Sequence, residues 1–247
     1  EGVDNIKISV SGDPFYAWRA GTLDTPDQCT PMHYDEIKAA VDTAHALGRK
    51  VNAHTRSVQG SKDCVRAGVD GIFHAEHSDE DLLDMMEAAK DRIVVVPTLD
   101  LFHQMVTGGT SDWGITPEVA GMMGIPPLVD AAAATHTALR KRGVRHVIGG
   151  DYGFAWSPHG LQARDLQYFV DYFGYSPAEA LVCATRHGGE AMMPDNSLGT
   201  LEAGKLADLI LVKGDVLANL SILTDPARMM CVIKDGAIHS IKAELQP

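Results

Sequence analysis

Lys7, His54, His74 and Asp151 are the four residues whose side chains and placement suit a divalent metal. Lys7 lies inside the run Asn5-Ile6-Lys7-Ile8-Ser9-Val10. His54 ends Lys50-Val51-Asn52-Ala53-His54, His74 ends Gly71-Ile72-Phe73-His74, and Asp151 ends His146-Val147-Ile148-Gly149-Gly150-Asp151. Two imidazoles and a carboxylate on separate strands suit a borderline ion, Zn²⁺ first, with Co²⁺ or Mn²⁺ as alternatives. Each residue alone has an ordinary explanation. A strand-end histidine is more often a hydrogen-bonded structural group, Asp151 could cap the turn after it, and Lys7 could pair with an acid. Their succession at strand after strand favours metal, and a charged lysine in an apolar strand needs a reason. A bound metal brings the pKa of water from about 15.7 to roughly 7. Asp151 can then orient the hydroxide and carry its proton to a leaving group, while an imidazole such as His74 helps polarise the substrate carbonyl.

A second tier of residues surrounds these four. His77 follows His74 by three positions and either contacts substrate or is a solvated polar residue. Arg56 is placed to bind a carboxylate or orient Asp151, with an ion pair as the plain alternative. Tyr152 and Trp156, with Phe15, Tyr16 and Trp18, fall in two loops where they could wall an apolar pocket; packing is the rival role. His159, between Pro158 and Gly160, either supports the site or shapes a turn.

Alternating strands and helices must position these groups. The pattern predicts strands at Ile6–Val10, Lys50–Ala53, Gly71–Phe73, Ile93–Val96 and Arg145–Ile148. Helices are predicted from about Met32 to Leu47, at Val58–Ala67, from a Ser78 cap to about Lys90, and at Val129–Arg142, Leu161–Phe173 and Pro177–Ala184. Five βα units imply a parallel sheet with helical cover, and catalytic groups of such barrels sit at the carboxyl ends of the strands. The stretch from Thr107 to Pro127 has the Gly and Pro content of a long functional loop such as a lid. Beyond Leu198 the pattern becomes short strands at Leu206–Val212, Met229–Lys234 and Ile238–Ile241, with an Asp-Gly hairpin turn in Lys234-Asp235-Gly236-Ala237.

Composition narrows the classes. The chain carries a net charge of −12 and is 45% apolar, which argues against nucleic acid or an anionic membrane as partner. The four cysteines, Cys29, Cys64, Cys183 and Cys231, are scattered without a CxxC pair. They are expected to be reduced thiols of a cytoplasmic protein, and a small molecule is the expected partner.

The run Ile6-Lys7-Ile8…Ser11-Gly12-Asp13, then Ala53-His54, Ile72-Phe73-His74-Ala75 and Gly149-Gly150-Asp151-Tyr152-Gly153, resembles the amidohydrolase superfamily. The stretch Leu198-Gly199-Thr200-Leu201-Glu202-Ala203-Gly204-Lys205-Leu206-Ala207-Asp208-Leu209 is similar to the segment with which these enzymes re-enter their β-sandwich. Within the superfamily the chain resembles the imidazolonepropionase- and prolidase-like branch. Residues 150–160 are similar to amide, carbamate and urea hydrolases such as molinate and phenylurea hydrolases.

The resemblance implies an α/β fold: strands four to eight of a TIM-type (β/α)₈ barrel over residues 1–197, and the C-terminal part of a small β-sandwich over 198–247. It implies that Lys7 is the strand-four lysine, often carbamylated from CO₂ so as to bridge two metals. His54, His74 and Asp151 then match the ligands of strands five, six and eight, around one or two divalent ions. The implied reaction is cleavage of an amide-like C–N bond, in an amide, carbamate, urea or dipeptide, by metal-activated hydroxide. The family's strand-one His-x-His is absent. Five units cannot close an eight-stranded barrel, so the amino-terminal part is expected from the same longer chain or a separate fragment, and a homo-oligomer is expected. Two other functions stay open: a non-catalytic assembly protein of this fold, and a metal hydrolase of ester, phosphotriester or carbon–halogen bonds.

Overall fold

The computed structural model describes residues 2–12, 30–193 and 195–245. Asp13, Phe15, Tyr16, Trp18 and Cys29 lie outside the described residues. Five parallel strands, β1 (Asn5–Ser9), β2 (Lys50–Thr55), β3 (Gly71–His74), β4 (Val94–Val96) and β5 (Arg145–His146), form one sheet in sequence order. Each connection carries helix, because parallel neighbours require a crossover. Between β1 and β2 runs α1 (Tyr34–Ala46), and between β2 and β3 runs α2 (Val58–Ala67), followed by α3 (Glu80–Ala88) before β4.

One face of the sheet packs on these helices. Val51, Ala53, Ile72 and Val95 are fully buried there with Ile37, Leu82, Met86 and Leu139. The other face is more polar. The register pairs Lys7 with Asn52, Ser9 with His54, and His54 with Phe73, so Lys7 and His54 share that side. Lys7 stands in the middle of β1, two residues before its last residue, Ser9.

The segment from Thr107 to Pro127, expected as a loop, is largely helical. Helix α4 (Asp100–Thr107) leads through a 3₁₀ turn at Ser111–Trp113 to α5 (Pro117–Met122) and then α6 (Ile125–Lys141). Thr116 caps α5, accepting from the Val119 amide, and Pro117 starts it where no amide donor is needed. Gly124, at φ 71°, turns the chain so that Ile125-Pro126-Pro127 opens α6. The Gly and Pro content thus marks helix starts and stops. Burial of Phe102, Met105, Ala120, Met123 and Ile125 supplies the energy to hold these short pieces.

The cap of α3 is Asp79, whose carboxylate accepts from the Leu82 amide at 2.9 Å, rather than Ser78. The Ser78 hydroxyl instead meets Thr135 at 2.8 Å. Helix α7 (Arg164–Phe173) begins three residues later than the pattern predicts. Helix α8 (Pro177–Val182) gives way to a π turn at Cys183–His187 and α9 (Gly188–Met192).

The tail forms a separate antiparallel sheet, β6 (Leu209–Val212), β7 (Met229–Lys234) and β8 (Ala237–Ile241). Asp235 and Gly236 have φ of 49° and 75°, as a two-residue I′ hairpin demands. Leu220, in the link between β6 and β7, is buried in the same apolar cluster as α4 to α8. Cys64, Cys183 and Cys231 are free and buried. No helix among the described residues is long and apolar enough to cross a membrane.

Ile72 sits at the middle of the central strand with no exposed surface. Ile72→Ala is expected to destabilise the fold by about 2–5 kcal/mol through lost burial and a residual cavity. Urea titration checks this: the midpoint should fall with an unchanged m value.

Candidate metal centre at the carboxyl ends of the strands

Alternation along β3 would place His74 on the helix-packed side with Ile72. The backbone overrides it. His74 and Ala75 adopt φ of 75° and 52°, a left-handed region that costs a residue with a Cβ about 1–2 kcal/mol. With that turn, the His74 ring lies 4.3 Å, centroid to centroid, from His54, at 69° between planes. Thr98, just beyond β4, has φ of 55°, and Asp151, beyond β5, has φ of 54°. Positive φ is rare for a β-branched residue such as threonine. Four strained residues gathered at the carboxyl ends of three strands are what an active centre held by its surroundings looks like.

The Thr98 hydroxyl is hydrogen-bonded to His74 Nδ1. The strand ending near Pro97 therefore reaches the site through a hydrogen bond to a proposed ligand rather than through a ligand of its own. Glu76 Oε1 also lies 4.0 Å from Nδ1, which favours a proton on that nitrogen. His74 Nε2 then points a lone pair at Asp151 Oδ2, 3.8 Å away. His74 is 1% exposed, and burial, with the charges of Arg56 and Lys7 nearby, pushes its pKa well below the usual imidazole range. It is neutral, the form that binds a metal.

Two acceptors facing each other at 3.8 Å repel unless a cation or proton lies between them. Two donors each about 2.1 Å from one tetrahedral ion would stand about 3.4 Å apart. The pair therefore fits a shared metal, with His54 beside it. Among the described residues, however, no group of three His, Cys, Asp or Glu side chains forms a ready ligand set. The fourth expected ligand, Lys7, belongs to none of those types. Its amine lies 3.7 Å from the centroid of the Phe73 ring. Desolvation there lowers its pKa, against the raising effect of the Asp151 carboxylate. This holds although the residue as a whole is exposed on its edge strand.

Arg56 is 3% exposed and ion-paired with Glu76, which is 1% exposed. Its guanidinium also lies 4.8 Å from the Phe102 ring centroid. Arg56 thus sits beneath the site, holding Glu76 near His74, rather than on open surface. His77 is half-buried just ahead of α3.

Buried carboxylates hold the loop that carries Asp151. Asp165 accepts from the Gly149 amide at 2.8 Å and the Tyr152 hydroxyl at 3.0 Å. Asp100 accepts from Ser157 and, at 2.7 Å, from the Tyr168 hydroxyl. Gly149 and Ser157 bracket Asp151, so its strained backbone is tied down from both sides. Tyr152 accordingly faces Asp165. Trp156 stacks on Phe154, with centroids 5.4 Å apart, and lies 5.8 Å from Trp113. Trp113 and Phe154 are 49% and 45% exposed, so the three rings present an apolar surface, two of them from the segment that follows Asp151. His159 is exposed and packs near Gly153.

Sequence reasoning missed Thr98, Glu76, Asp100 and Asp165. None has a distinctive spacing, and their roles follow from contacts made across the fold.

A parallel βα sheet with polar groups collected at its carboxyl ends is the layout of the barrel hydrolases. The amidohydrolase family model matches residues 24–238, and this chain belongs to that family. Ochratoxinase of Aspergillus niger is 25% identical over 240 residues, covering 96% of this chain and 46% of its own length. Imidazolonepropionase of Caldanaerobacter subterraneus subsp. tengcongensis is 26% identical over 187 residues, covering 72% of this chain and 38% of its own. The crystal structure of a putative prolidase from Bifidobacterium longum superposes with a TM-score of 0.82 at 28% identity, covering 96% of this chain and 56% of that one. The chain spans about half the length of these relatives.

Burial raises the Asp165 carboxyl pKa to about 7, against the hydrogen bonds from Tyr152 and Gly149. A folded-state pKa above the unfolded one means that the folded protein holds the extra proton. The associated stability is full below the ordinary carboxylate range and is lost as pH rises to about 7, at up to roughly 1.4 kcal/mol per pH unit. Asp165→Asn should remove that loss. Urea midpoints of wild type and variant, compared between pH 4 and 7, should diverge in the variant's favour as pH rises; parallel curves would contradict the assignment.

Proposed function

We propose that this chain carries the metal site of a hydrolase that cleaves an amide-like C–N bond, as in an amide, carbamate, urea or dipeptide. Lys7, His54, His74 and Asp151 are its proposed ligands, on strands that correspond to the fourth, fifth, sixth and eighth of a (β/α)₈ barrel. The barrel portion is taken as residues 1–197 and the sandwich portion as 198–247. The observation that carries the reading is the facing pair His74 Nε2 and Asp151 Oδ2 at 3.8 Å, at the ends of two strands. Membership of the family and the named hydrolases among its relatives support it.

A divalent ion bound here, Zn²⁺ foremost, supplies Lewis acidity and acidifies water at the site. The chain's own groups do the rest. The Asp151 carboxylate, 39% exposed, takes the proton from the attacking water and delivers it to the departing nitrogen. His74, anchored by Thr98 through Nδ1, would act on the substrate carbonyl only through the ion that its Nε2 helps to hold. The lowered pKa of Lys7 enlarges its fraction of neutral amine, the form that adds CO₂ to give a carbamate. Trp156, with Phe154 and Trp113, offers a wall for an apolar substituent of the substrate. His77, Tyr152 and His159 are proposed to line the substrate region, while Arg56 acts on the site from beneath, through Glu76.

The test is hydrolysis of dipeptides and N-acyl amides bearing bulky apolar side chains, before and after chelation and after addition of Zn²⁺, Co²⁺ or Mn²⁺. Turnover should vanish on chelation and return with metal. Asp151→Asn should lower kcat/KM by about 10²–10⁴. Undiminished turnover by the metal-free protein would overturn the proposal.

A further inference from the structure

Two fully buried histidines outside the ligand set lie in one hydrogen-bonded line that ends on His74. His136, on α6, places Nε2 2.8 Å from the His74 carbonyl oxygen. Its Nδ1 lies 3.1 Å from His146 Nε2, and His146 Nδ1 lies 2.9 Å from the Tyr175 hydroxyl. His136 and His146 have no exposed surface. The first contact fixes the direction of the rest. A carbonyl can only accept, so His136 Nε2 carries the hydrogen. The neutral ring then has a bare Nδ1, which requires a hydrogen on His146 Nε2. His146 Nδ1 is bare in turn and accepts from the Tyr175 hydroxyl. The alternative, with His146 Nδ1–H donating to the Val144 carbonyl at 3.2 Å, would leave His136 Nε2 and the His74 oxygen as two acceptors at 2.8 Å. The shorter contact decides against it.

The same helix reaches the next turn of the backbone as well. The Thr135 hydroxyl donates to the Glu76 carbonyl at 2.8 Å. Successive side chains of α6 therefore clasp residues 74 and 76 on either side of the left-handed Ala75. That is the stretch whose unusual φ values bring the His74 ring to His54.

We propose that His136, its tautomer fixed by His146 and Tyr175, is a positioning residue that holds His74 in its metal-facing orientation. The proposal rests on the metal reading above, and the experiments separate the two. Two-bond ¹H–¹⁵N NMR of the imidazoles should show His136 and His146 both as Nε2–H tautomers, and an Nδ1–H tautomer on His136 overturns the chain. Tyr175→Phe, which lies away from the ligands, should shift His146 towards Nδ1–H. An unchanged His146 signal overturns the role of Tyr175.

His136→Leu removes the donor, whereas His136→Gln keeps an N–H at similar reach. His136→Leu should weaken Zn²⁺ binding by about 10–100-fold in competitive chelation, with kcat reduced more than KM, while His136→Gln stays close to wild type. If wild type binds Zn²⁺ and His136→Leu binds it equally, the positioning role is wrong. If wild type binds no Zn²⁺, the metal reading fails instead, and the tautomers still decide the chain. Should His136→Leu not fold, failure of His136→Gln to retain Zn²⁺ affinity overturns the proposal.

Discussion

Left-handed backbone at the carboxyl ends of the sheet is the constraint on which the site depends. A β-strand sends successive side chains to opposite faces, so His74 would otherwise follow Ile72 under the helices. Its φ of 75° breaks that alternation and brings the ring beside His54. Thr98 and Asp151 accept the same kind of cost, and their side chains are the ones that meet His74. Such conformations persist only where neighbours over-determine them. Here the neighbours are identifiable: α6 grips the turn after β3, while Asp165 and Asp100 grip the loop after β5.

Those supports divide into charged and neutral kinds. Arg56 and Glu76 form a buried ion pair over Phe102. Such a pair is costly to desolvate and costlier still to break, so it argues for a fixed geometry near His74 more than for added stability. The histidine line through His136 and His146 is neutral: burial lowers the His136 pKa to about 4 and that of His146 well below the usual imidazole range. A neutral imidazole donates and accepts in a defined direction without importing a charge. That suits it to lie behind a site whose own charges must answer to a metal.

The helical organisation of residues 100–141 serves the same end. Gly and Pro there punctuate helices instead of opening a lid, and the apolar sides of these short helices close over Phe102, Met105 and Phe169. The packed result presents Asp100 to Ser157 and Thr135 and His136 to the turn after β3. Packing energy is thereby converted into placement of polar groups on the far side of the core.

By itself the sequence determined the strand order, most of the longer helices, the parallel class of the sheet and the Asp-Gly hairpin, and it singled out the four proposed ligands. Each leaves a local trace: period-two or period-3.6 apolarity, a turn dipeptide, or a polar residue closing an apolar run. Only the tertiary structure decided which way His74 faces, that Thr98 and Glu76 meet it, that Arg56 is buried, and that His136 and His146 stand behind it. Most of those facts arise from contacts between residues far apart in sequence, 24 positions for Thr98 and His74 and 62 for His136 and His74, and from backbone angles that no propensity favours. A strained φ is held by distant atoms, so it cannot be read from the residue that bears it.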